Sequence, residues 1–158
     1  MREKSCCFTG HRTIPINQID IIKKSLLSQI KKLMNQGVYL FYCGGALGFD
    51  TLSALTILQL KNDYPNLNLI LVLPCENQSQ GWKTCEKETY DSIRDQANTV
   101  IYTSKQYYKG CMQKRNRYMV DNCSYCICYL TKKFGGTSYT VDYATKHCRK
   151  IINLAKNQ

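Results

Sequence analysis

Three almost continuously apolar runs constrain this chain most: Val38 to Cys43, Leu67 to Leu73 and Tyr125 to Leu130. A strand with one wet face alternates polar and apolar residues. One that is apolar almost throughout is covered on both faces, as a central strand of a parallel sheet is. Each run is closed by turn residues (Gly44-Gly45, Pro74, and Gly135-Gly136 a few positions on), and a helix-like segment follows. Shorter strand patterns occur at Ser5 to Thr9, Thr99 to Tyr102 and Lys150 to Leu154. Helical patterns run from Asn17, a candidate cap, to Gln36 with Gly37 as the stop, and over Lys83 to Ala97, Met112 to Asp121 and Val141 to His147. Another helix follows Asp50, with Leu52, Leu55 and Leu58 on one face. Strands and helices alternate from end to end without repeat or linker. The expectation is one α/β domain over residues 1–158: three layers, with a mostly parallel sheet and helices on both faces.

The length of 158 residues suits one such domain, and the hydrophobic and charged fractions, 44% and 21%, are ordinary for a globular protein. The formal charge of +11 is not. It points toward nucleotides, nucleic acid or an acidic protein as partners, or to a merely solvated basic surface. Lys23, Lys24, Lys31 and Lys32 belong to the surface, because Ile22, Leu26, Ile30 and Leu33 form the apolar stripe of their helix. The first residues show no signal-type apolar segment, and Leu67 to Pro74 is too short to span a bilayer; a cytoplasmic protein without membrane contact is expected. Its ten cysteines should then be mostly reduced, buried, small apolar residues. Cys123, Cys126 and Cys128 do not pair into zinc knuckles, since two of them alternate within a strand pattern, so no metal is expected.

The strand–helix junctions carry the chemistry. At Phe134-Gly135-Gly136-Thr137-Ser138-Tyr139-Thr140, bare backbone N–H groups, hydroxyls and a helix dipole suit an anion, most often phosphate; a plain tight turn is the alternative. A second junction, Cys43 to Asp50, contains Gly44, Gly45 and Gly48, and Asp50 falls in the first helical turn. Asp50 is either a helix-start carboxylate or an acceptor for ribose or base hydroxyls. Gly10-His11-Arg12 closes the first strand, where Arg12 could grip an oxyanion with two donors or simply be solvated. Tyr107 and Tyr108 lie in a loop where they can stack on a base or pack the loop down.

Met112, Arg115 and Met119 share one face of a helix. Two methionines mark that face as inward and carry Arg115 with them, whereas Arg117 points elsewhere. A buried guanidinium needs an anion, either a protein carboxylate or a ligand phosphate.

These segments together resemble a known family. Cys7 to Arg12, Gly45 to Asp50, Leu73-Pro74-Cys75 with Trp82, Gly110 to Asp121 including Asn116, and Gly135-Gly136-Thr137 with Thr140 resemble the YpsA-like branch of the SLOG superfamily, over nearly the whole chain. That superfamily unites the DNA-processing protein Smf/DprA with the LOG phosphoribohydrolases. The resemblance implies a Rossmann-like fold and a nucleotide-derived ligand in the cleft. The expected site then comprises Gly10, His11, Arg12, Gly44, Gly45, Gly48, Asp50, Pro74, Trp82, Tyr108, Met112, Arg115, Asn116, Gly135, Gly136, Thr137 and Thr140. The LOG enzymes join an arginine between two methionines to a glycine-glycine-threonine loop followed by a glutamate. Here the glutamate's place, counted from Thr140, falls on Tyr143, with Asp142 beside it.

The expected function is therefore binding or sensing of a nucleotide-derived molecule, with an ADP-ribose-like ligand first. No separate cofactor is called for. Hydrolysis of nucleoside monophosphates is the alternative, with Arg115, Asp50 and Asp142 as catalytic candidates. Single-strand DNA binding stands third, because the basic residues are scattered. Related folds often dimerise, which adds a homo-oligomer to the expected partners.

Overall fold

The computed structural model describes residues 1–157, with side chains through Ala155. Six strands, β1 (Ser5–Gly10), β2 (Leu40–Cys43), β3 (Asn68–Leu73), β4 (Thr99–Tyr102), β5 (Tyr125–Tyr129) and β6 (Lys150–Asn153), form one sheet. Its order is β4-β3-β2-β1-β5-β6 and every neighbouring pair is parallel. Five helices connect them: α1 (Ile19–Asn35), α2 (Phe49–Leu60), α3 (Thr84–Gln96), α4 (Cys111–Asp121) and α5 (Gly136–Lys146). No described helix is long and apolar enough to cross a membrane.

The continuous apolarity of the strands has the expected cause. Phe8, Phe41, Leu69, Leu71 and Ile127 pack under α1, α2 and α3. Their neighbours in sequence, Cys7, Ile70, Val72, Cys126 and Cys128, pack on the other face with Met119 and Val120 of α4 and Ala144 of α5. This is a three-layer, Rossmann-like α/β domain. Among the described residues no cysteine forms a disulfide; eight are buried and Cys85 and Cys148 are exposed.

Three expectations need correction. Asn17 does not cap α1: a 3-10 turn over Ile16–Gln18 precedes the helix, and Gln18 takes the cap position without a side-chain hydrogen bond. The inward face of α2 is Phe49, Ser53, Ala54, Ile57 and Leu60, and Leu55 is 44% exposed. That helix is apolar nearly all round, so spacing alone did not choose its buried side. Finally, α5 begins at Gly136, five residues before Val141. Thr137 and Thr140 are thus helical, not part of a loop.

Strand order reverses between β1, whose chain leads toward β2, and β5, whose chain leads toward β6. In open parallel sheets the crevice outside the carboxyl ends of such a strand pair is where ligands bind.

Candidate functional site at the strand switch point

A cavity of about 490 Å³ opens at that crevice. The end of β1 contributes Thr9, Gly10, His11 and Arg12, and the start of α2 contributes Ala46 and Asp50. One wall is the α4 face with Met112, Arg115, Asn116 and Met119, as the spacing predicts. The segment after β5 closes it with Lys132, Phe134, Gly135, Gly136 and Thr137.

Arg115 is only 4% exposed. Its Nε donates to Asn116 Oδ1 at 2.7 Å, and its Nη1 donates to the carbonyls of Gly44 and, at 3.3 Å, Val72. Burial lowers its pKa, and the Asp50 charge opposes that shift. Among the described residues its guanidinium forms no ion pair. The carboxylate that could have neutralised it, Asp50, is 6% exposed and uses Oδ2 to accept the Ala46 N–H at 3.1 Å. Burial pushes Asp50 up to about 6, against the lowering influence of Arg115, the Ala46 N–H and Arg12.

The bare Cα of Gly44 leaves room for both groups. A Cβ there would lie 2.6 Å from Arg115 Nη1 and 3.0 Å from Asp50 Oδ2. Gly48 serves differently: at φ 75° it lets the turn pass the Arg12 carbonyl, which a Cβ would approach to 2.2 Å. The Phe49 N–H, donated to the His11 carbonyl at 3.1 Å, fixes that approach.

His11 ties the two strand ends together. Its Nε2 accepts the Thr131 N–H at 2.9 Å, and its ring stands edge-on to Tyr129. This bond requires an unprotonated Nε2. Burial, then the nearby Lys132 charge, lowers its pKa and favours that state.

Several expected site residues lie elsewhere. Gly44, Gly45 and Gly48 shape the backbone behind the cavity and do not line it. Pro74 is buried outside it, and Trp82 packs edge-on against Tyr90 at 5.3 Å. Tyr108 is 46% exposed on its loop and does not reach the cavity. Thr140 is buried and donates its hydroxyl to the Gly136 carbonyl at 2.8 Å, as a helical threonine does. Asp142 is exposed and absent from the lining. Tyr143 donates to Asp121 at 2.8 Å and stacks on His147, also outside. Of the carboxylates considered, only Asp50 reaches the cavity.

Phe134, which opens the glycine-rich stretch, lines the cavity; Lys132 does too and was missed, although the Lys132-Lys133 pair beside the glycines was a signal. Gln78 was missed too; it is buried and donates to the Gly44 carbonyl at 3.5 Å, sharing that acceptor with Arg115. Nothing in its loop sequence marked it.

Residues 6–154 match the family described as the YspA SLOG family, YpsA. The chain belongs to that family. A UPF0398 protein of Halalkalibacterium halodurans is 30% identical over 131 residues, covering 81% of this chain and 69% of that protein. A UPF0398 protein of Bacillus thuringiensis is 27% identical over 131 residues, covering 81% and 71%. DNA processing protein A from Streptococcus pneumoniae superposes with a TM-score of 0.67 at 17% identity, over 94% of this chain and 49% of that one. The same protein from Helicobacter pylori, described for its single-stranded DNA binding mode, gives 0.64 at 17%, over 93% and 63%. At such identities the superpositions speak for the fold. The chain spans about half the length of the pneumococcal protein.

Proposed function

We propose that this protein binds a nucleotide or nucleotide-derived molecule, with its phosphates held in the switch-point cavity. The observation that carries the reading is Arg115: a guanidinium 4% exposed, lining a cavity and, among the described residues, in no ion pair. A buried cation in that state favours an anion from outside. The amino end of α5, with the Gly136 and Thr137 backbone, adds N–H donors and a dipole of the right sign. Arg12 and Lys132 add two cations. Three cations against one carboxylate suit a diphosphate, so ADP-ribose is the first molecule to test.

Calorimetric titration of the wild type and Arg115→Ala with ADP-ribose tests this. The variant should lose roughly 30-fold or more in affinity, the worth of charge-assisted bonds to phosphate. Because Arg115 also holds two backbone carbonyls, Arg12→Ala is a companion that leaves the interior intact; it should weaken binding several-fold at unchanged melting temperature. Unchanged affinity in both variants would count against the reading.

A second reading has one observation in its favour. Tyr107, Tyr108, Phe134 and Tyr139 are 62%, 46%, 76% and 38% exposed, among Lys105, Lys109, Lys132 and Lys133. Exposed rings among cations suit single-stranded nucleic acid. That reading requires affinity for a labelled oligonucleotide that falls steeply with salt.

A further inference from the structure

We propose that Asp50 reads a ribose, its carboxylate accepting hydrogen bonds from the sugar hydroxyls of the bound ligand, so that the site discriminates ribonucleotides from their 2′-deoxy counterparts. This deepens the nucleotide reading of the cavity and rests on it.

Two ordinary roles for Asp50 fall short. As counter-ion to Arg115 it would touch the guanidinium, yet the two form no ion pair, although both tips come close to the bare Cα of Gly44. As a staple for the turn before α2 it needs one acceptor, and Oδ2 bonded to Ala46 N–H supplies that. Oδ1 is left over. A carboxyl group 6% exposed, lining a cavity with acceptor capacity in hand, calls for donors from a ligand. A phosphate has no donors and would be repelled. A pair of sugar hydroxyls offers them at the spacing a carboxylate accepts. The division of labour follows: phosphates lie toward Arg115, Arg12, Lys132 and the α5 amino end, and the sugar lies over α2.

The charged and titratable groups facing Asp50 are Arg115 from α4, Arg12 from the turn after β1, Cys7 from β1 and Cys43 from β2. Burial pushes the Cys43 thiol up, whereas hydrogen bonds with Cys123 and Cys126 hold the Cys7 thiol down; Asp50 is the one carboxyl group of this set. Its pKa, pushed up to about 6 by burial, makes the discrimination pH-dependent: the ionised form is the better acceptor.

The test is calorimetric titration of the full chain with ADP and 2′-deoxy-ADP, on the wild type and on Asp50→Asn. The substitution keeps the shape and an oxygen for Ala46. The wild type should bind ADP roughly tenfold or more tightly than 2′-deoxy-ADP at pH 7.5. That ratio should shrink at pH 5, and in Asp50→Asn it should fall toward one through loss of ADP affinity alone. A merely structural Asp50 would weaken both ligands together, which would overturn the proposal. So would equal affinities in the wild type, a measurement that needs no variant. Failure of the wild type to bind either diphosphate would overturn the nucleotide reading itself, an outcome distinct from binding without discrimination.

Discussion

Gly44 and Gly48 look alike in sequence but fail differently when a methyl is added. At Gly48 the obstacle is the Arg12 backbone carbonyl, and the φ of 75° is itself unfavourable for alanine. Gly48→Ala should therefore cost roughly 1–3 kcal/mol of stability, read by thermal or denaturant unfolding. At Gly44 the obstacles are the tips of Arg115 and Asp50. Gly44→Ala should displace those tips and abolish ligand binding while costing less stability than Gly48→Ala. His11 makes a pH-dependent contribution. Its folded pKa is lowered, so on acidification the unfolded chain takes the proton first. The stability from the Nε2 bond is complete above about 6.5 and is lost as pH falls through the lower folded value. Asp50, raised to about 6, slopes the opposite way: its favourable contribution is lost as pH rises from about 4 to 6. Comparing wild type with His11→Ala isolates the first effect. The wild type's advantage, about 1 kcal/mol at pH 7.5, should shrink progressively as pH falls below about 6.5.

At the scale of elements, sequence patterns were most readable where burial forces a choice. The α1 stripe of Ile22, Leu26, Ile30 and Leu33 is the buried face, and Met112-Arg115-Met119 does line the crevice. They failed where chain chemistry is ambiguous. Gly135, Gly136 and two threonines read as a loop, yet the helix dipole begins at Gly136, and Thr140 spends its hydroxyl inside the helix. Trp82 and Pro74 gave no sign that they face the interior away from the crevice. The early start of α5 has a testable consequence. A Cβ at Gly136 meets nothing within 4 Å. Gly136→Asp would place a carboxylate at the helix amino end, where the dipole favours it by about 0.3–1 kcal/mol. The melting temperature should hold or rise, whereas affinity for ADP-ribose should fall at least roughly tenfold, because that carboxylate occupies the anion's place.

For the whole molecule, the order β4-β3-β2-β1-β5-β6 fixes where a site can be, and no local motif reveals that order. The glycine-rich junctions and Arg115 suggested a shared pocket; the sheet supplies the reason, by turning its connections outward between β1 and β5. The same topology leaves Asp142 and Tyr143 outside the cavity. Incubation with a panel of nucleoside monophosphates, followed by chromatography for free base, should show no release above the uncatalysed background. The most direct test of the account is amide and arginine-side-chain NMR mapping during titration with ADP-ribose. Saturable shifts should concentrate at Gly10 to Arg12, Ala46 to Asp50, Gly135 to Thr137 and the Arg115 Nε–H. Shifts confined to the outer faces of α1, α2 and α3, or none at millimolar ligand, would contradict it.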